Sequence, residues 1–420
     1  MNKIKLGDVL DVKRGVSLSG EYYAEKGDKI RLTLGNFNYP AGGFKQNTSK
    51  ADIYFTEEVK SEFILKKGDI ITPLTEQVSG LLGETARIPE NDLYIQSSDI
   101  GLVIPNEKML DKSFAYYLIS SPVVKKQLDA AAQQTKIRHT SPDKIKDCEV
   151  WLPKMEYQIK TGKLLDMINA KIENNNKINI ELESMAKNIY DYWFLQFDFP
   201  DENGKSYKSS GGKMIWNEEL KREIPEGWDV KYIKDIENYI VTGKTPSSKT
   251  EEYYNGEIPF ITIGDIRGNM FVVSTEQTLS TIGAETQASK YIPEDSICVT
   301  CIATPGLVGL TVQKSQTNQQ INSIVCKNIK NRSYLYFAIK DYFIYSAGAK
   351  TGNTFANMNK EDFSKIPLIY NKNIVEQYYD ATKEIFTLIK NNLLQNKELA
   401  VLRDFLLPLL MNGQVRFKEK

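Results

Sequence analysis

Residues 171–185 read KIENNNKINIELESM and place three consecutive asparagines inside a stretch whose other residues favour a helix. Asparagine is unfavourable in a helix interior because its side chain competes for the backbone hydrogen bonds. The residues that would face a partner helix nevertheless step by alternating four and three positions, which is the spacing of a coiled coil. A loop would not preserve that spacing on both sides of the asparagines, so the pattern predicts one continuous helix. The spaced positions, called the seam below, are Ile168, Ile172, Asn175, Asn179, Leu182, Ala186, Ile189 and Trp193.

A second seam near the end of the chain has asparagines at the same two places. Its positions are Ile385, Ile389, Asn392, Asn396, Leu399, Arg403, Leu406 and Leu410. Buried seam asparagines lower the stability of a helix pair but fix its register, because their amides must pair. We therefore predict an antiparallel pair of long helices aligned by a polar layer of Asn175, Asn179, Asn392 and Asn396. The alternative is a solvated helix face, which we expect for Asn174 and Asn176.

The regions before the two helices also resemble each other. Residues 15–37 read GVSLSGEYYAEKGDKIRLTLGNF, and residues 243–266 read GKTPSSKTEEYYNGEIPFITIGDI. Each contains a glycine, a polar loop, a Tyr-Tyr pair and a β-branched strand that ends in Gly-Asn or Gly-Asp. Thr33 then falls opposite Thr262. An internal repeat of this size marks a duplicated unit, so the sequence predicts two copies of one domain, each followed by a long helix.

The repeat defines the predicted fold class and organisation. We predict an α+β protein with two similar globular domains of mixed β-structure and short helices, whose two long helices pair as an antiparallel coiled coil. The segment after the first helix is rich in Gly, Ser and charge, which predicts an exposed linker. The predicted boundaries are 1–155 for the first domain, 156–195 for the first long helix, 196–222 for the linker, 223–370 for the second domain, 371–413 for the second long helix and 414–420 for a tail.

Composition limits the possible classes of protein. Hydrophobic residues make up 41% of the chain and charged residues 26%, as in soluble globular proteins. Lys plus Arg equals Asp plus Glu at 54 each, so a nucleic-acid-binding role requires positive charge to be concentrated on one face. No apolar run reaches the roughly 20 residues that span a bilayer, and no signal peptide is recognisable, so we expect a cytoplasmic protein with no membrane partner. Four cysteines and one histidine argue against a disulfide framework or a structural zinc site.

The sequence lacks the common catalytic motifs. It has no Gly-x-Gly-x-x-Gly or Walker A stretch for phosphate and no Gly-x-Ser-x-Gly elbow. Cys298 and Cys301 have C-x-x-C spacing but lie in an expected strand, where residues three apart face opposite ways. Asp201 and Glu219 imitate the acidic spacing of metal-dependent nucleases, yet they lie in or beside the predicted linker, where their geometry is not fixed. We therefore expect a non-catalytic chain without a metal.

The ordered set of these features resembles the specificity subunit of Type I restriction–modification systems. The resemblance covers essentially the whole chain and rests on the duplicated domain-plus-helix arrangement and on residues 243–266. KNIYDYWFLQFDFP (187–200) and VLRDFLLPLLMNGQV (401–415) are typical of that family's helical regions. Residues 375–377 (VEQ) are similar to the family's Glu-Gln helix start, whereas the first copy departs from it with Tyr-Gln at residues 157–158.

The resemblance implies that each globular domain is a target recognition domain, which reads one half of a split sequence in double-stranded DNA. It implies a subunit that performs no chemistry and binds two methyltransferase subunits, with two ATP-dependent restriction subunits in the full complex. S-adenosylmethionine, ATP and magnesium would lie on those partners, and this chain would hold no cofactor. Physical reasoning agrees, because one chain with two diverged repeats can read an asymmetric split site. A helix of roughly 55 to 60 Å exceeds one DNA turn of about 34 Å, so its length would set the gap.

Loop residues of the types that contact DNA backbone and base edges mark candidate sites in both domains. These DNA-contact candidates are Arg14, Lys136, Arg138, His139, Lys244, Lys249, Lys350, Asn353 and Asn357. The alternative for each one is a solvated loop residue. Two other functions stay open at this point: a specificity subunit of a methylation-only system without restriction, and a coiled-coil scaffold that does not bind DNA.

Overall fold

The computed structural model describes residues 2–39, 42–46, 53–76, 78–131, 138–349 and 357–418. The chain divides into unit 1, residues 1–171 and 399–420, and unit 2, residues 172–398. The helices are α1 (Lys112–Ile119), α2 (Pro122–Ala131), α3 (Pro142–Lys146), α4 (Met155–Tyr190), α5 (Ile233–Ile236), α6 (Ile263–Ile266), α7 (Thr281–Glu285), α8 (Arg332–Ala349), α9 (Lys360–Ser364) and α10 (Lys372–Met411). Among these residues, none of the helices has the length and apolar character that crossing a membrane requires.

The long helices α4 and α10 confirm the prediction of an uninterrupted helix through the three asparagines. They contain 36 and 40 residues, which correspond to roughly 54 Å and roughly 60 Å. All of the seam residues are buried or half-buried, whereas Asn174 and Asn176 are exposed, as expected. A single π-helical turn, Asp191–Leu195, follows α4.

Unit 1 is organised around a four-stranded antiparallel sheet. Its strands are β1 (Asn2–Lys5), β2 (Leu10–Arg14), β3 (Tyr23–Ala24), β4 (Ile30–Arg31), β5 (Tyr54–Phe55), β6 (Ile70–Pro73), β7 (Thr75–Glu76), β8 (Ala86–Arg87), β9 (Tyr94–Ile95), β10 (Ile100–Pro105), β11 (Arg138–His139) and β12 (Glu149–Leu152). The main sheet has the order β2-β10-β6-β8, with Arg14 opposite Gly101 and Pro73 opposite Ile100. Smaller sheets have the orders β3-β5-β4-β9, β1-β12 and β11-β7.

The core of unit 1 includes both long helices. Val12 and Ile70 of the main sheet, Phe114 of α1, Leu165 of α4 and Leu410 of α10 belong to one buried cluster. Apolar burial is the main favourable term in folding, so the final turns of α10 are part of the core of this unit.

A polar junction also joins α4 to the sheet and to α1 within unit 1. One carboxylate oxygen of Asp166 accepts hydrogen bonds from Arg87 (2.7 Å) and the Tyr117 hydroxyl (2.8 Å), and the other accepts from the Ser113 hydroxyl (2.7 Å). The Asp166 side chain is 30% exposed, so its ion pair with Arg87 is partly shielded from water. This carboxylate therefore fixes the direction in which the helix leaves the domain.

Unit 2 repeats this plan. Its strands are β13 (Met214–Asn217), β14 (Arg222–Pro225), β15 (Asp229–Tyr232), β16 (Ile240–Thr242), β17 (Tyr254–Ile261), β18 (Phe271–Val272), β19 (Gln277–Leu279), β20 (Ile297–Thr300), β21 (Val308–Thr311), β22 (Gln316–Thr317), β23 (Ile321–Ile324) and β24 (Pro367–Tyr370). The main sheet has the order β16-β23-β20-β21-β18. Its core joins Val299 of β20 and Phe337 of α8 to Tyr190 of α4 and Phe386 of α10.

The shared strand order confirms the predicted duplication. The order β16-β23-β20-β21 matches β2-β10-β6-β8, and β18 is an added edge strand. Matching turns also occur where the sequences were aligned: the Thr33 N–H donates to Asn36 Oδ1 (2.8 Å), and the Thr262 N–H donates to Asp265 Oδ2 (2.7 Å). The two domains are copies of one α+β fold.

Residues 196–222, which we expected to form an exposed linker, instead contain buried aromatic side chains. Phe197 and Phe199 are 1% and 5% exposed, and both rings contact Trp228, with centroid distances of 5.7 and 5.0 Å. The abundance of Gly, Ser and charge predicted the linker, but burial of these rings contributes enough free energy to order the segment.

An ordered turn and a hairpin complete this segment. The N–H and hydroxyl of Ser209 donate to the carboxylate of Asp198 (2.7 and 2.6 Å). These hydrogen bonds stabilise the ionised form and lower the pKa of the Asp198 carboxyl. Strands β13 and β14 then form an antiparallel hairpin that exposes Trp216.

Candidate nucleic-acid interface

One end of the main sheet of unit 1 brings several DNA-contact candidates together. At this end β2 finishes at Arg14, β6 finishes at Pro73 and β10 begins at Ile100. The β7–β11 pair lies there too, because the Thr140 N–H donates to the Leu74 carbonyl (2.9 Å). We call this end the unit 1 rim, formed by residues 14–15, 74–76, 96–99 and 138–140.

Arg14 joins two segments of the unit 1 rim. Its exposed guanidinium donates to the carbonyl oxygens of Ser98 (2.9 Å) and Thr140 (3.4 Å). These bonds use only part of its five N–H groups. Within the described part of the chain, no carboxylate forms an ion pair with Arg14. Arg14 therefore places a positive charge without an acidic partner, and with spare donors, on the rim, which suits phosphate contact.

Arg138, in contrast, is neutralised inside the protein. Its guanidinium forms ion pairs with Glu76 (3.1 Å) and with Asp129 (3.0 Å). The side chain of Glu76 is almost fully buried, and its other oxygen accepts from the N–H of Leu81 (3.0 Å). Arg138 thus links β11, α2 and the loop after β7. Its contact with DNA stays a prediction, and within the protein its charge is already compensated.

His139, the neighbour of Arg138, points to solvent. It pairs with Thr75 in the β7–β11 ladder, and its Nδ1 lies 3.5 Å from Thr75 Oγ1. The Thr75 hydroxyl donates to Asp99 Oδ1 (2.9 Å). The imidazole is thus exposed on a backbone that hydrogen bonds hold on both sides.

The main sheet of unit 2 has an equivalent end. There β16 finishes at Thr242, β20 finishes at Thr300 and β23 begins at Ile321. Asn357, a predicted contact residue, is exposed and forms a β-bridge with Ile302. We call this end the unit 2 rim, formed by residues 242–245, 301–304, 317–320 and 357–358.

The two predicted lysines of unit 2 lie in the loop that follows β16. Lys244 and Lys249 are both exposed, and neither forms an ion pair with any residue that the structure describes. The Lys244 backbone is fixed, because its N–H donates to the Thr317 carbonyl (2.9 Å) and its carbonyl accepts from the Gln287 amide (2.7 Å). The ammonium groups remain available to phosphate.

A glycine follows the opening strand at each rim because the backbones approach closely there. A Cβ on Gly15 would lie 2.3 Å from the Ser97 carbonyl oxygen, and one on Gly243 would lie 2.1 Å from the Asn318 carbonyl oxygen. Either side chain would overlap a neighbouring strand, so only glycine fits. The glycines that head the two aligned sequences thus have the same structural role.

Three of the predicted contact residues, Lys136, Lys350 and Asn353, lie outside the described residues. Two polar segments that were not predicted as contact sites precede β10 and β23, namely QSSD (96–99) and TNQQ (317–320). These segments supply Ser98 and Asp99 to one rim, and Gln319 and Gln320 to the other. A short polar run immediately before a buried strand, repeated in both halves, was the signal that could have identified them.

The four seam asparagines pair across the helices within unit 2. Asn175 Nδ2 donates to Asn396 Oδ1 (2.8 Å) and to Gln395 Oε1 (2.8 Å), and Asn392 Nδ2 donates to Asn179 Oδ1 (2.9 Å). The partner of the earlier asparagine on α4 is the later one on α10, so the helices are antiparallel here. Their role in fixing the register stays a prediction.

The cysteines and carboxylates whose spacing resembles catalytic motifs are buried or hydrogen-bonded within the protein. Cys298 lies in β20 and Cys301 directly follows that strand, not within it as expected; the two belong to different hydrophobic clusters, and burial raises their thiol pKa values to about 12 and about 11. Asp201 accepts backbone hydrogen bonds in its own turn, and Glu219 accepts from the Tyr232 hydroxyl. Among the described residues, no group of His, Cys, Asp and Glu could hold a metal ion.

Comparison with known proteins gives a consistent result. The sequence model of the Type I restriction modification DNA specificity domain matches residues 1–184 and 225–401. The HindI specificity subunit of Haemophilus influenzae, a Type I restriction enzyme subunit, is 30% identical over 407 residues, which cover 84% of this chain and 87% of that protein. The MjaIX specificity subunit of Methanocaldococcus jannaschii is 23% identical over 325 residues, covering 76% of this chain and 72% of that protein.

A solved structure has the same fold. The crystal structure of a Type I restriction–modification S subunit from M. genitalium superposes with a TM-score of 0.59 and 16% sequence identity, covering 98% of this chain and 96% of that chain. The fold, the two matched domains and the relative at 30% identity agree with the resemblance that the sequence motifs indicated. The chain belongs to the Type I restriction–modification specificity family, as a non-catalytic DNA specificity subunit.

Proposed function

We propose that this chain reads a split DNA sequence, one half with the rim of each unit, and that its long helices bind two methyltransferase subunits. The observation that carries the proposal is the duplicated sheet, which ends in two rims built on the same strand order with different side chains. Duplicated readers in one chain suit a target whose two halves differ in sequence.

The distribution of charge supports DNA as the ligand. The whole chain has no net charge, yet Arg14 at one rim, Lys244 at the other and Lys249 in the loop after β16 have no acidic partner among the described residues. Phosphate contacts supply most of the sequence-independent affinity for DNA, and they require such uncompensated cations. Exposed polar groups on the same rims would contact base edges.

Exposed apolar side chains on the long helices support a protein partner. In unit 1, Met167 of α4 and Phe405 of α10 are 62% and 64% exposed, and in unit 2, Ile180 of α4 and Leu388 of α10 are 67% and 50% exposed. Single exposed apolar residues are common, but a run of them such as Val401, Leu402 and Phe405 of α10 is typical of a protein interface. Because each unit has such residues, we infer one methyltransferase subunit for each unit. A restriction subunit would join through that complex.

The helices also offer a means of setting the gap between the half-sites. One heptad adds about 10.5 Å to a helix, which corresponds to about three base pairs of B-DNA. We propose that the length of the helices determines the number of unread base pairs, and that the paired asparagines hold the two helices in alignment.

The test is to express the chain with a Type I methyltransferase subunit from the same host, and to sequence the host methylome with and without the pair. We expect a complex with one specificity subunit and two methyltransferase subunits, and adenine methylation at one split sequence. A heptad inserted into both α4 and α10 should lengthen the gap and leave both half-sites unchanged. A stable partner-free chain that causes no methylation would contradict the proposal, as would altered half-sites at a constant gap.

A further inference from the structure

The two rims have the same backbone hydrogen bonds, so their residues can be matched one by one. The Leu74 N–H donates to the Asp99 carbonyl at 2.8 Å, and the Cys301 N–H donates to the Gln320 carbonyl at 2.8 Å. One step further, the Thr140 N–H donates to the Leu74 carbonyl, as the Met358 N–H does to the Cys301 carbonyl, both at 2.9 Å. The second set of residues therefore occupies the positions of the first.

This match makes His139 and Asn357 equivalent. His139 directly precedes the donor Thr140, as Asn357 directly precedes the donor Met358. Their partners across the backbone pairing, Thr75 for His139 and Ile302 for Asn357, each directly follow the residue whose carbonyl accepts. Asp99 and Gln320 are equivalent too, because their carbonyl oxygens accept the first pair of matched hydrogen bonds. The backbone of the rim is thus retained between the repeats, while the side chains at the matched positions differ.

The surroundings of His139 restrict its hydrogen-bonding pattern. The ionised carboxylate of Asp99 can only accept, so the Thr75 hydroxyl donates its proton to Asp99 (2.9 Å). Thr75 Oγ1 is then left as an acceptor 3.5 Å from His139 Nδ1, which favours the tautomer with the proton on Nδ1. A neutral imidazole with its proton on Nδ1 presents Nε2 to solvent as an acceptor.

Asn357 presents a different pattern from the same position. Its neighbour across the bridge is the aliphatic Ile302, and its exposed amide offers both a donor and an acceptor. An asparagine amide matches the N6 and N7 atoms of adenine, whereas an imidazole acceptor matches the exocyclic amine of cytosine or adenine.

We propose that His139 and Asn357 are specificity-determining residues at the same position of two half-site readers, and that each contacts a base edge in duplex DNA. This assignment rests on the proposed function, because it requires each rim to read one half-site. Arg14, Lys244 and Lys249 contact phosphate, whereas His139 and Asn357 discriminate between bases.

The test uses the complex of the chain with its methyltransferase subunits. The split sequence is first identified by methylome sequencing, and methylation is then measured on duplexes that vary one base pair at a time. We expect His139→Ala to reduce discrimination at one position of a single half-site by about tenfold to hundredfold, with the other half-site and the gap unchanged. Asn357→Ala should do the same in the other half-site, and His139→Asn should shift the preferred base towards adenine.

The unaffected half-site serves as an internal check that each variant is folded. Lys244→Ala is the matched control, because loss of a phosphate contact should weaken binding to all sequences and reduce the salt dependence of affinity. Wild-type discrimination in both alanine variants, or a uniform loss of affinity like that of Lys244→Ala, would overturn the assignment. A wild-type complex that methylates no split sequence would overturn the proposed function itself, and this assignment with it.

Discussion

The asparagine pair between α4 and α10 gives a quantitative test of the helix alignment. The perturbation is a double-mutant cycle of Asn175→Leu, Asn396→Leu and the combined variant. Asn175 is fully buried and Asn396 is 9% exposed, and a single 2.8 Å hydrogen bond joins their amides. Each single variant breaks this hydrogen bond and keeps the other amide in the seam, whereas the combined variant removes both amides.

The expected magnitudes follow from the contacts that remain in each variant. Asn175→Leu leaves the buried Asn396 Oδ1 without a donor, which costs about 2 kcal/mol. Asn396→Leu costs less, about 1 kcal/mol, because Asn175 Nδ2 still donates to Gln395 (2.8 Å). The combined variant should lie within about 0.5 kcal/mol of wild type or above it, because paired apolar residues suit a seam. The coupling energy is then about 2.5 to 3.5 kcal/mol.

Native-state hydrogen exchange of peptides from residues 172–190 and 385–398 measures the free energy of opening at this site. Asn174→Leu is the matched control, because Asn174 is exposed on the same turn and should change that free energy by less than about 0.5 kcal/mol. Any strain from the larger leucine adds equally to single and combined variants, and so it cancels in the cycle. If the losses of the two single variants simply add in the combined variant, the two asparagines are not a coupled pair and do not align the helices.

Three further predictions concern single residues. Asp166→Ala should lower the free energy of unfolding of unit 1 by about 2 to 3 kcal/mol, measured by urea titration, because it removes the acceptor of three hydrogen bonds. The control Glu156→Ala, which removes an exposed ion pair on the same helix, should change that free energy by less than about 0.5 kcal/mol. Gly243→Ala should abolish methylation at one half-site, whereas Gly264→Ala, with no atom nearer than 3.8 Å to the new Cβ, should not. Because its pKa is lowered, the ionised Asp198 carboxyl stabilises its segment fully above the ordinary carboxyl pKa of 3.8 and progressively less as the pH falls below that value. Limited proteolysis should therefore cut residues 198–212 faster in acid than at neutral pH. In Asp198→Asn, the same cleavage should be faster already at neutral pH.

The long helices were predictable because their signal is periodic and local. The seam placed a helix at 156–194, and α4 with its π-turn covers Met155–Leu195, because heptad spacing survives the unfavourable asparagines. The duplication was predictable too, because Thr33 and Thr262 occupy the same place in aligned sequences that form the same turn.

The rims were only partly predictable, because their short strands depend on tertiary pairing. β7 and β11 contain two residues each, too few for a periodic pattern. Arg138 resembles a phosphate contact in sequence, and nothing local shows that Glu76 and Asp129 neutralise it. The prediction of an exposed linker at residues 196–222 was wrong for a related reason: two buried phenylalanines determine the structure of this segment, although small and charged residues dominate its composition.

The assignment of residues 399–420 to unit 1 has a consequence for biosynthesis. Leu410 and Met411 are 1% and 2% exposed in the same core as Leu6 and Val9, and the Tyr157 hydroxyl donates to the Leu410 carbonyl (3.1 Å). Residues 172–398 must therefore leave the ribosome before the first domain can complete its core. At 5 to 20 residues per second this delay is on the order of ten to fifty seconds, during which the nascent first domain exposes apolar surface and is open to chaperones and proteases.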